Sequence, residues 1–197
     1  MPQDSAQLRS MIPERQDKVG VGRRGARGLA LALALLASGA EARALGGVRM
    51  PDTISLQGQE LLLDHMEVKK RFFFDVYVWG LYLQQKPASV EEAISSEGAK
   101  QLQLRFKRGV NRAQLVAAFR EFLSGSASLR DPKMKRLCEQ LLQSLRGVDK
   151  GDSILISYIP NKGLLVSGEG SQGATIPGKA FADALFSAWL SANPIYQ

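Results

Sequence analysis

Few residues of this 197-residue chain could carry out metal or covalent chemistry. His65 is the only histidine and Cys138 the only cysteine. Transition-metal sites draw most of their ligands from these two residue types, so the sequence predicts no metal site and no cofactor. A Ser-His-Asp triad would have to use His65, which no nucleophile motif accompanies. Cys138 lies on the apolar stripe of a predicted helix and is expected to be a buried structural thiol.

The most informative run extends from Lys69 to Leu83 (KKRFFFDVYVWGLYL). Its Phe, Val and Tyr content favours a strand, and its length predicts one long central strand. Alternate positions then form two sets. The first set is apolar and is expected to face the main core: Phe72, Phe74, Val76, Val78, Gly80 and Tyr82. The second set mixes aromatic residues with a carboxylate: Phe73, Asp75, Tyr77, Trp79, Leu81 and Leu83. Such a face is typical either of a strand that lines a pocket or of a strand between two helical layers.

Other segments predict the elements that position this strand. Thr53–Leu56 and Glu60–Leu63 flank Gly58 as an opening hairpin, and Ser153–Ile159 and Leu164–Gly168 form a second one. The alternation in Gln101–Lys107 predicts a half-buried strand, and Ala174–Ile176 a short one. Predicted helices begin at four sites with capping or proline signals: Ser89, Asn111, Asp131-Pro132 and Pro177. Strands before and after a block of helices indicate an α+β protein, with a mostly antiparallel sheet covered by helices.

The first 44 residues have the composition of a secretory signal. Arg23, Arg24 and Arg27 precede an apolar run over 29–37, and Ala42 and Ala44 form an A-x-A cleavage site. The run is too short for a permanent membrane anchor. We therefore expect a signal peptide over 1–44, one domain over 45–197, and a protein that is periplasmic or secreted. Export by the general or the twin-arginine route stays open, as does an uncleaved interfacial helix.

Charge argues against nucleic acid as a partner. The formal net charge is +7, but residues 1–44 hold seven basic and four acidic side chains, which leaves +4 for residues 45–197. The remaining basic residues are scattered among acidic ones, apart from Lys69–Arg71 and Arg105–Arg108. A nucleic-acid binder is expected to carry a clustered basic stripe.

Several stretches cover nearly all of the chain after residue 44. The most specific is the aromatic segment Phe72–Leu83. The others are Val48–Pro51, Leu61–Leu63, Gly151-Asp152, Tyr158–Pro160 with Gly163, Phe181 with Leu185, and Trp189-Leu190. Together they resemble the chalcone-isomerase-like family, in particular its small bacterial exported branch. The resemblance implies an open-faced β-sandwich, in which one large antiparallel sheet is covered by a helical layer and the ligand cleft lies between them.

The resemblance also implies which residues near the long strand to consider. In the plant enzymes of this family an arginine stabilises the negative charge that develops as a chalcone ring closes, and Lys69 stands at its place. The glycine-containing turn before it is replaced by Asp64–Glu67, a turn expected to be reshaped because these residues do not reach φ > 0 cheaply. Tyr77 replaces the enzymes' threonine. Here the chain is more similar to the fatty-acid-binding members, which pair an arginine with a tyrosine to hold a carboxylate.

Three further positions follow from the same resemblance. A threonine or serine of the enzymes' last helix is replaced by Ala188, and their tyrosine and asparagine fall near Arg130 and Leu137. The groups that hold the hydroxyls of a chalcone are thus mostly missing.

Three functions are compatible with this sequence. The leading hypothesis is a non-catalytic binder of a small amphipathic carboxylate such as a fatty acid, with a site built from Lys69, Tyr77, Trp79, Phe73 and Ala188. The first alternative is an intramolecular lyase of the chalcone-isomerase type that acts on an enone. The second is an accessory protein that binds another protein of the cell envelope.

Overall fold

The computed structural model describes residues 41–71 and 73–195. Within these residues the chain forms nine strands and four α-helices. The strands are β1 (Ala42–Leu45), β2 (Val48–Pro51), β3 (Thr53–Leu56), β4 (Gln59–Arg71), β5 (Phe74–Leu83), β6 (Lys100–Phe106), β7 (Ser153–Ile159), β8 (Gly163–Ser167) and β9 (Ala174–Ile176). The helices are α1 (Val90–Ser95), α2 (Arg112–Gly125), α3 (Pro132–Ser144) and α4 (Lys179–Ala192), with a 3₁₀ turn at Ala127–Leu129.

The seven strands β3 to β9 form one antiparallel sheet in which neighbours in the sequence are neighbours in space. β1 and β2 form a separate hairpin. The main core lies between one face of the large sheet and the helices α2, α3 and α4. The predicted α+β class and the predicted helical cover of a large antiparallel sheet are therefore confirmed. Both predicted hairpins are present, the first around Gln57 and Gly58, which have φ of 53° and 79°.

The prediction of one continuous strand from Lys69 to Leu83 is wrong. The chain reverses direction within this segment, and β4 and β5 pair through Arg71 with Phe74, Lys70 with Asp75, and Lys69 with Tyr77. Phe73 is 96% exposed and Phe74 63% exposed. Because no glycine or proline marks the reversal, the β-propensity of the three phenylalanines obscured the turn.

The prediction of a turn at Asp64–Glu67 is also wrong, because these residues belong to β4. The register passes from Leu63 opposite Tyr82 directly to His65 opposite Leu81, which makes Asp64 the extra residue of a β-bulge. The bulge changes which residues face which side. Leu61 and Leu63 pack into a second hydrophobic cluster, whereas the odd-numbered residues after the bulge face the helices.

The two faces of β5 are the reverse of the prediction. The set that contains Trp79, Leu81 and Leu83 packs into the main core beneath the helices. The set that contains Val78 and Tyr82 packs on the other face, against the second cluster of Met50, Leu61, Leu63 and Ala99. A Cβ added at Gly80 would lie 2.7 Å from the Sδ of Met50 and 3.0 Å from Cδ1 of Leu63, so glycine allows this cluster to close on the strand.

Three helices begin where their capping residues predict, whereas the last begins at Lys179, two residues after the predicted start at Pro177. Ser89 caps α1, Asn111 forms a capping box with Gln114 at the start of α2, and Asp131 caps α3 ahead of Pro132. The last helix, α4, starts after Gly178 and buries Phe181, Leu185, Ala188 and Trp189. It ends at Ala192, with Asn193 as the C-terminal capping residue before Pro194. Cys138 is buried on α3, as predicted.

One buried cation belongs to this framework. Lys100 is fully buried, and its ammonium donates to the carbonyls of Ala93 (3.3 Å) and Ile94 in the last turn of α1. Its Nζ lies 3.5 Å from the carboxylate of Asp183. Burial lowers the pKa of Lys100, and the Asp183 carboxylate opposes that shift. Lys100 thus closes the C-terminal end of α1 and links it to α4.

Most of the predicted signal segment lies outside the described residues. The predicted cleavage site falls within β1, where Ala44 is opposite Arg49 and Arg43 forms an ion pair of 2.9 Å with Asp52. Across residues 41–71 and 73–195, no helix is both long enough and apolar enough to span a bilayer.

Candidate ligand-binding site

Two cross-strand pairs form the floor of the candidate site. Lys69 is directly opposite Tyr77, and Glu67 is directly opposite Trp79, on the face of β4 and β5 that looks toward the helices. The bulge at Asp64 places Glu67 and Lys69 on this face. Polar and aromatic side chains that alternate along two neighbouring strands are thereby brought into one patch.

Trp189 of α4 covers this floor. The centroid of its ring lies 5.7 Å from that of Trp79, in an edge-to-face arrangement, and 6.4 Å from that of Tyr77. Phe122 of α2 completes the cover at 5.4 Å from Trp189. The side chains close over the floor as an aromatic cluster, in which ring pairs of this geometry are favourable.

Lys69 is held by the end of α4. Its ammonium donates to Oδ1 of Asn193 at 2.7 Å, and Nδ2 of Asn193 donates to the carbonyl of Trp189 at 2.9 Å. Asn193 is only 6% exposed. The ammonium thus bonds a neutral amide at the C-terminal end of a helix, where the helix dipole favours a positive charge.

Tyr77 and Trp189 add two further donors. Burial, and to a lesser extent the carboxylate of Glu67, raises the pKa of Tyr77, so its phenol keeps its proton. Nε1 of Trp189 is buried and has no hydrogen-bond partner among the described residues. A buried donor without a partner destabilises a fold by about 1–3 kcal/mol, and such groups are commonly satisfied by water or ligand.

The opposite end of the site carries the carboxylate of Glu67 and the imidazole of His65. Nε1 of Trp79 donates to Oε2 of Glu67 at 3.2 Å, and Nε2 of His65 lies 4.0 Å from the same oxygen. Burial lowers the pKa of His65, although Glu67 and Asp64 oppose this shift. The lowered pKa favours a neutral imidazole. An anion would therefore be repelled by the Glu67 carboxylate and attracted by the Lys69 ammonium.

The arrangement suits binding better than covalent chemistry. It offers an ammonium, a phenol and an indole N–H as donors, set in an aromatic cluster. The side chain of Glu67 is 42% exposed, so solvent reaches the edge of the site. No nucleophile activated by a base appears among the side chains just described. These groups can hold a carboxylate or a carbonyl oxygen beside an apolar body.

Not all of the residues predicted for the site come together. Lys69, Tyr77 and Trp79 share the floor, and Ala188 is buried on α4 beside Trp189 in the chain. Phe73 does not join them, because it lies exposed at the end of the β4–β5 hairpin. Two other positions considered in the sequence lie elsewhere. Arg130 borders a groove of about 530 Å³ that Arg120, Leu123, Cys138 and Leu142 also line, and Leu137 packs against the main core.

Sequence reasoning missed the roles of Trp189, Asn193 and His65. Trp189 enters the sequence analysis only through the family resemblance, and the absence of a partner for its N–H cannot be recognised from the sequence. Asn193-Pro194 is a signal for the end of a helix, because proline cannot continue one, and the polar group at that end was therefore detectable. Its partner on β4 was not.

The fold defines the class of protein: an α+β open-faced sandwich with an aromatic, donor-rich site between its sheet and its last helix. A family model described as chalcone isomerase-like matches residues 42–197. The chain therefore belongs to the chalcone isomerase-like family.

One solved structure supports this architecture. The chain is similar to the crystal structure of a fatty-acid binding protein from Arabidopsis thaliana, with a TM-score of 0.61 and 15% sequence identity. The similarity covers 78% of this chain and 91% of the plant chain. At this identity the likeness establishes the fold. A search of curated protein sequences finds no match.

Proposed function

We propose that this protein is a non-catalytic binder of a small amphipathic carboxylate, such as a fatty acid. The head group would bind Lys69, Tyr77 and Trp189. The observation that carries the proposal is the buried indole N–H of Trp189, which has no partner among the described residues and belongs to a ring 6.4 Å from that of Tyr77. A carboxylate oxygen would satisfy this donor.

Asn193 makes the proposal chemically specific. Its amide oxygen occupies the position of an acceptor for Lys69, at 2.7 Å. A ligand carboxylate that replaces this amide would place a negative charge against the ammonium, so an ion pair would be added to a hydrogen bond that the neutral amide accepts without charge. Because lysine is a point charge without the fork of arginine, we expect tolerance of different acids and little geometric selectivity.

The tail would lie between the sheet and the helices α2 and α4. Trp189 and Phe122 are in contact there, so ligand entry requires these two rings to move apart. The fatty acid that the similar plant protein is named for has the same division into one acidic head and one apolar body. This correspondence supports the class of ligand and leaves the chain length to experiment.

The test is a fluorescence titration. The chain has two tryptophans, Trp79 and Trp189, and both belong to the site. Adding decanoate or dodecanoate should change their emission with a saturable curve, whereas dodecanol, which has the same tail and no charge, should bind much more weakly. Calorimetry should give the same affinity.

Variants assign the effect to the proposed residues. Lys69→Met should weaken binding roughly tenfold and Tyr77→Phe severalfold, because each removes one donor to the charged head. Lys133→Met, which removes an exposed lysine of α3, serves as the matched control and should bind normally. The proposal fails if carboxylates do not bind, or if Lys69→Met binds them as tightly as the native chain.

We also propose that the protein is exported and acts outside the cytoplasm. The charged and apolar segments of residues 1–44 support this proposal. Fractionation of cells that express the full chain, with N-terminal sequencing of the product, tests it. Recovery of a chain shortened near Ala44 from the periplasm or the medium is the expected result, and an intact chain in the cytosol would overturn it.

A further inference from the structure

The end of the β4–β5 hairpin exposes two phenylalanines next to each other. Phe73 is 96% exposed and Phe74 63% exposed, although both belong to the residue types that proteins bury most often. Single exposed apolar residues are common, whereas two successive exposed phenylalanines at the end of a hairpin offer apolar surface for an interaction. The patch is not part of the ligand-binding site.

Three cationic residues lie at the same end of the hairpin. Lys70 and Arg71 are exposed on β4, and the guanidinium carbon of Arg108 lies 5.4 Å from the centroid of the Phe74 ring. Arginine over an aromatic face is a favourable arrangement that keeps the charge at the end of the hairpin. We call the group of Lys70, Arg71, Phe73, Phe74 and Arg108 the hairpin tip.

The carboxylate closest to the tip in sequence is already compensated. Asp75 lies 2.5 Å from the Nζ of Lys107 and 4.0 Å from that of Lys70. The hydrogen bond from Lys107 lowers the pKa of Asp75, so the carboxylate stays ionised and paired. Its charge therefore offsets Lys107, and the positive charges of Arg71 and Arg108 remain available to an anionic partner.

We propose that the hairpin tip docks on the anionic surface of a lipid bilayer. The two rings would enter the level of the lipid head groups, where aromatic side chains are favoured, while the cations contact phosphates. The small size of the tip favours a bilayer over a protein partner, because a stable protein interface buries roughly 1,000 Å² or more, and a few side chains cannot supply that. A bilayer needs no shape complementarity.

The hairpin tip follows the ligand-binding site directly along β4. Lys69 of the ligand-binding site precedes Lys70 directly, and alternation along β4 sends the two side chains to opposite faces. Docking through the tip would therefore hold the site next to the lipid surface. The docking proposal goes beyond the proposed ligand and does not require it.

Sedimentation with vesicles tests the docking. The full chain is mixed with vesicles of phosphatidylcholine alone, or with a quarter of phosphatidylglycerol, and the bound fraction is measured. We expect binding to the anionic vesicles, which weakens as salt is raised because exposed charges are screened within about 10 Å at 0.1 M. Residues 1–40 are the same in every variant, so differences between variants report the tip.

The variants separate the apolar and the charged contributions. Phe73→Ala with Phe74→Ala should weaken binding at least ~10-fold, since each ring loses its burial in the interface. Lys70→Gln with Arg71→Gln should remove the preference for anionic vesicles. Leu62→Ala, which truncates another exposed apolar residue of β4 (44% exposed), is the matched control and should bind as the native chain does. Urea unfolding checks that each variant folds.

A second measurement reports the tip directly. Phe73→Trp should be quenched by lipids brominated near the head group, beyond the quenching of the native tryptophans. Absence of this extra quenching overturns the proposal. Unchanged vesicle binding of the double phenylalanine variant also overturns it. So does a dimer in sedimentation velocity that this variant abolishes, because the tip would then be a contact between two copies of the chain. Ligand titration of the same variant should match that of the native chain whether or not the docking proposal holds, because the hairpin tip is not part of the ligand-binding site.

Discussion

The ammonium of Lys69 lies 2.7 Å from the amide oxygen of Asn193, a residue 124 positions later in the sequence. The contact joins β4 to the end of α4 and holds the ammonium beside Tyr77, its cross-strand neighbour. One hydrogen bond thus attaches the helical layer to the sheet and also sets the position of the charge in the site. Changes at Asn193 should therefore affect stability and binding in different ways.

Asn193→Asp should block the site without unfolding the protein. The new carboxylate would form an ion pair with Lys69 and compete with any ligand carboxylate, so we expect affinity for dodecanoate to fall roughly tenfold or more. The unfolding free energy should change by less than about 1 kcal/mol, because the attraction to Lys69 is offset by the desolvation of a buried carboxylate and by its unfavourable helix end. Fluorescence titration and urea unfolding measure the two quantities.

Asn193→Ala is the informative companion variant. It removes the competing acceptor and should leave ligand affinity equal or higher, at a loss of about 1–2 kcal/mol of stability. If both Asn193 variants bind the ligand equally, Lys69 does not hold the head group.

Trp189→Phe should weaken binding more than it weakens the fold. The substitution removes the buried N–H that lacks a partner, which is favourable, and leaves a small cavity, which is not. We expect these effects to cancel to within about 1 kcal/mol, whereas Trp189→Ala should cost about 3–5 kcal/mol. Unchanged affinity in Trp189→Phe would show that the indole N–H plays no part in binding.

The stability of the fold should fall as the pH drops below 6.5. Burial lowers the pKa of His65 from its ordinary value of 6.5, so the unfolded chain takes up a proton at a pH where the folded chain does not. The stability that depends on the neutral imidazole is complete above pH 6.5 and is lost progressively below it. The midpoints of urea unfolding, measured about one pH unit apart between pH 5 and pH 8, test this prediction. His65→Gln should flatten the curve in this range, and an equal slope in the variant would contradict the assignment.

Chalcone should not be turned over above its spontaneous rate. Ala188 and Leu137 supply no hydroxyl or amide at the positions where the resemblance places the enzymes' polar groups, and the carboxylate of Glu67 lies within the site. The decay of chalcone absorbance with and without protein measures this. A rate enhancement that Lys69→Met removes would instead favour the lyase.

Local signals predicted the local structure well. Ser89, Asn111 and Asp131 cap helices through hydrogen bonds to residues two or three positions later, so the sequence window contains both partners. The class of fold followed from the order of strands and helices. By contrast, the reversal after Arg71 carries no glycine or proline. The aromatic residues at the tip have a high β-propensity, which suggests a continuous strand, yet they are exposed at a turn.

The site was predictable only in part, for a related reason. Lys69 and Tyr77 were expected to follow one another along a single strand, whereas they lie opposite each other on two strands. The bulge at Asp64 is defined by pairing with Tyr82 and Leu81, and the contact with Asn193 spans most of the chain. Neither can be inferred from alternation within a single strand.

The bulge at Asp64 has a consequence for protein engineering. It divides β4 into two segments whose outward and inward positions are set independently, so Gln59–Leu63 can be redesigned for the second cluster without altering the side chains that face the helices. The Lys69–Tyr77 and Glu67–Trp79 pairs could be transplanted to another antiparallel sheet. If the host strand has the same alternation, the bulge residue must be transplanted with them. Otherwise the grafted lysine and glutamate would point to the wrong side of the new sheet.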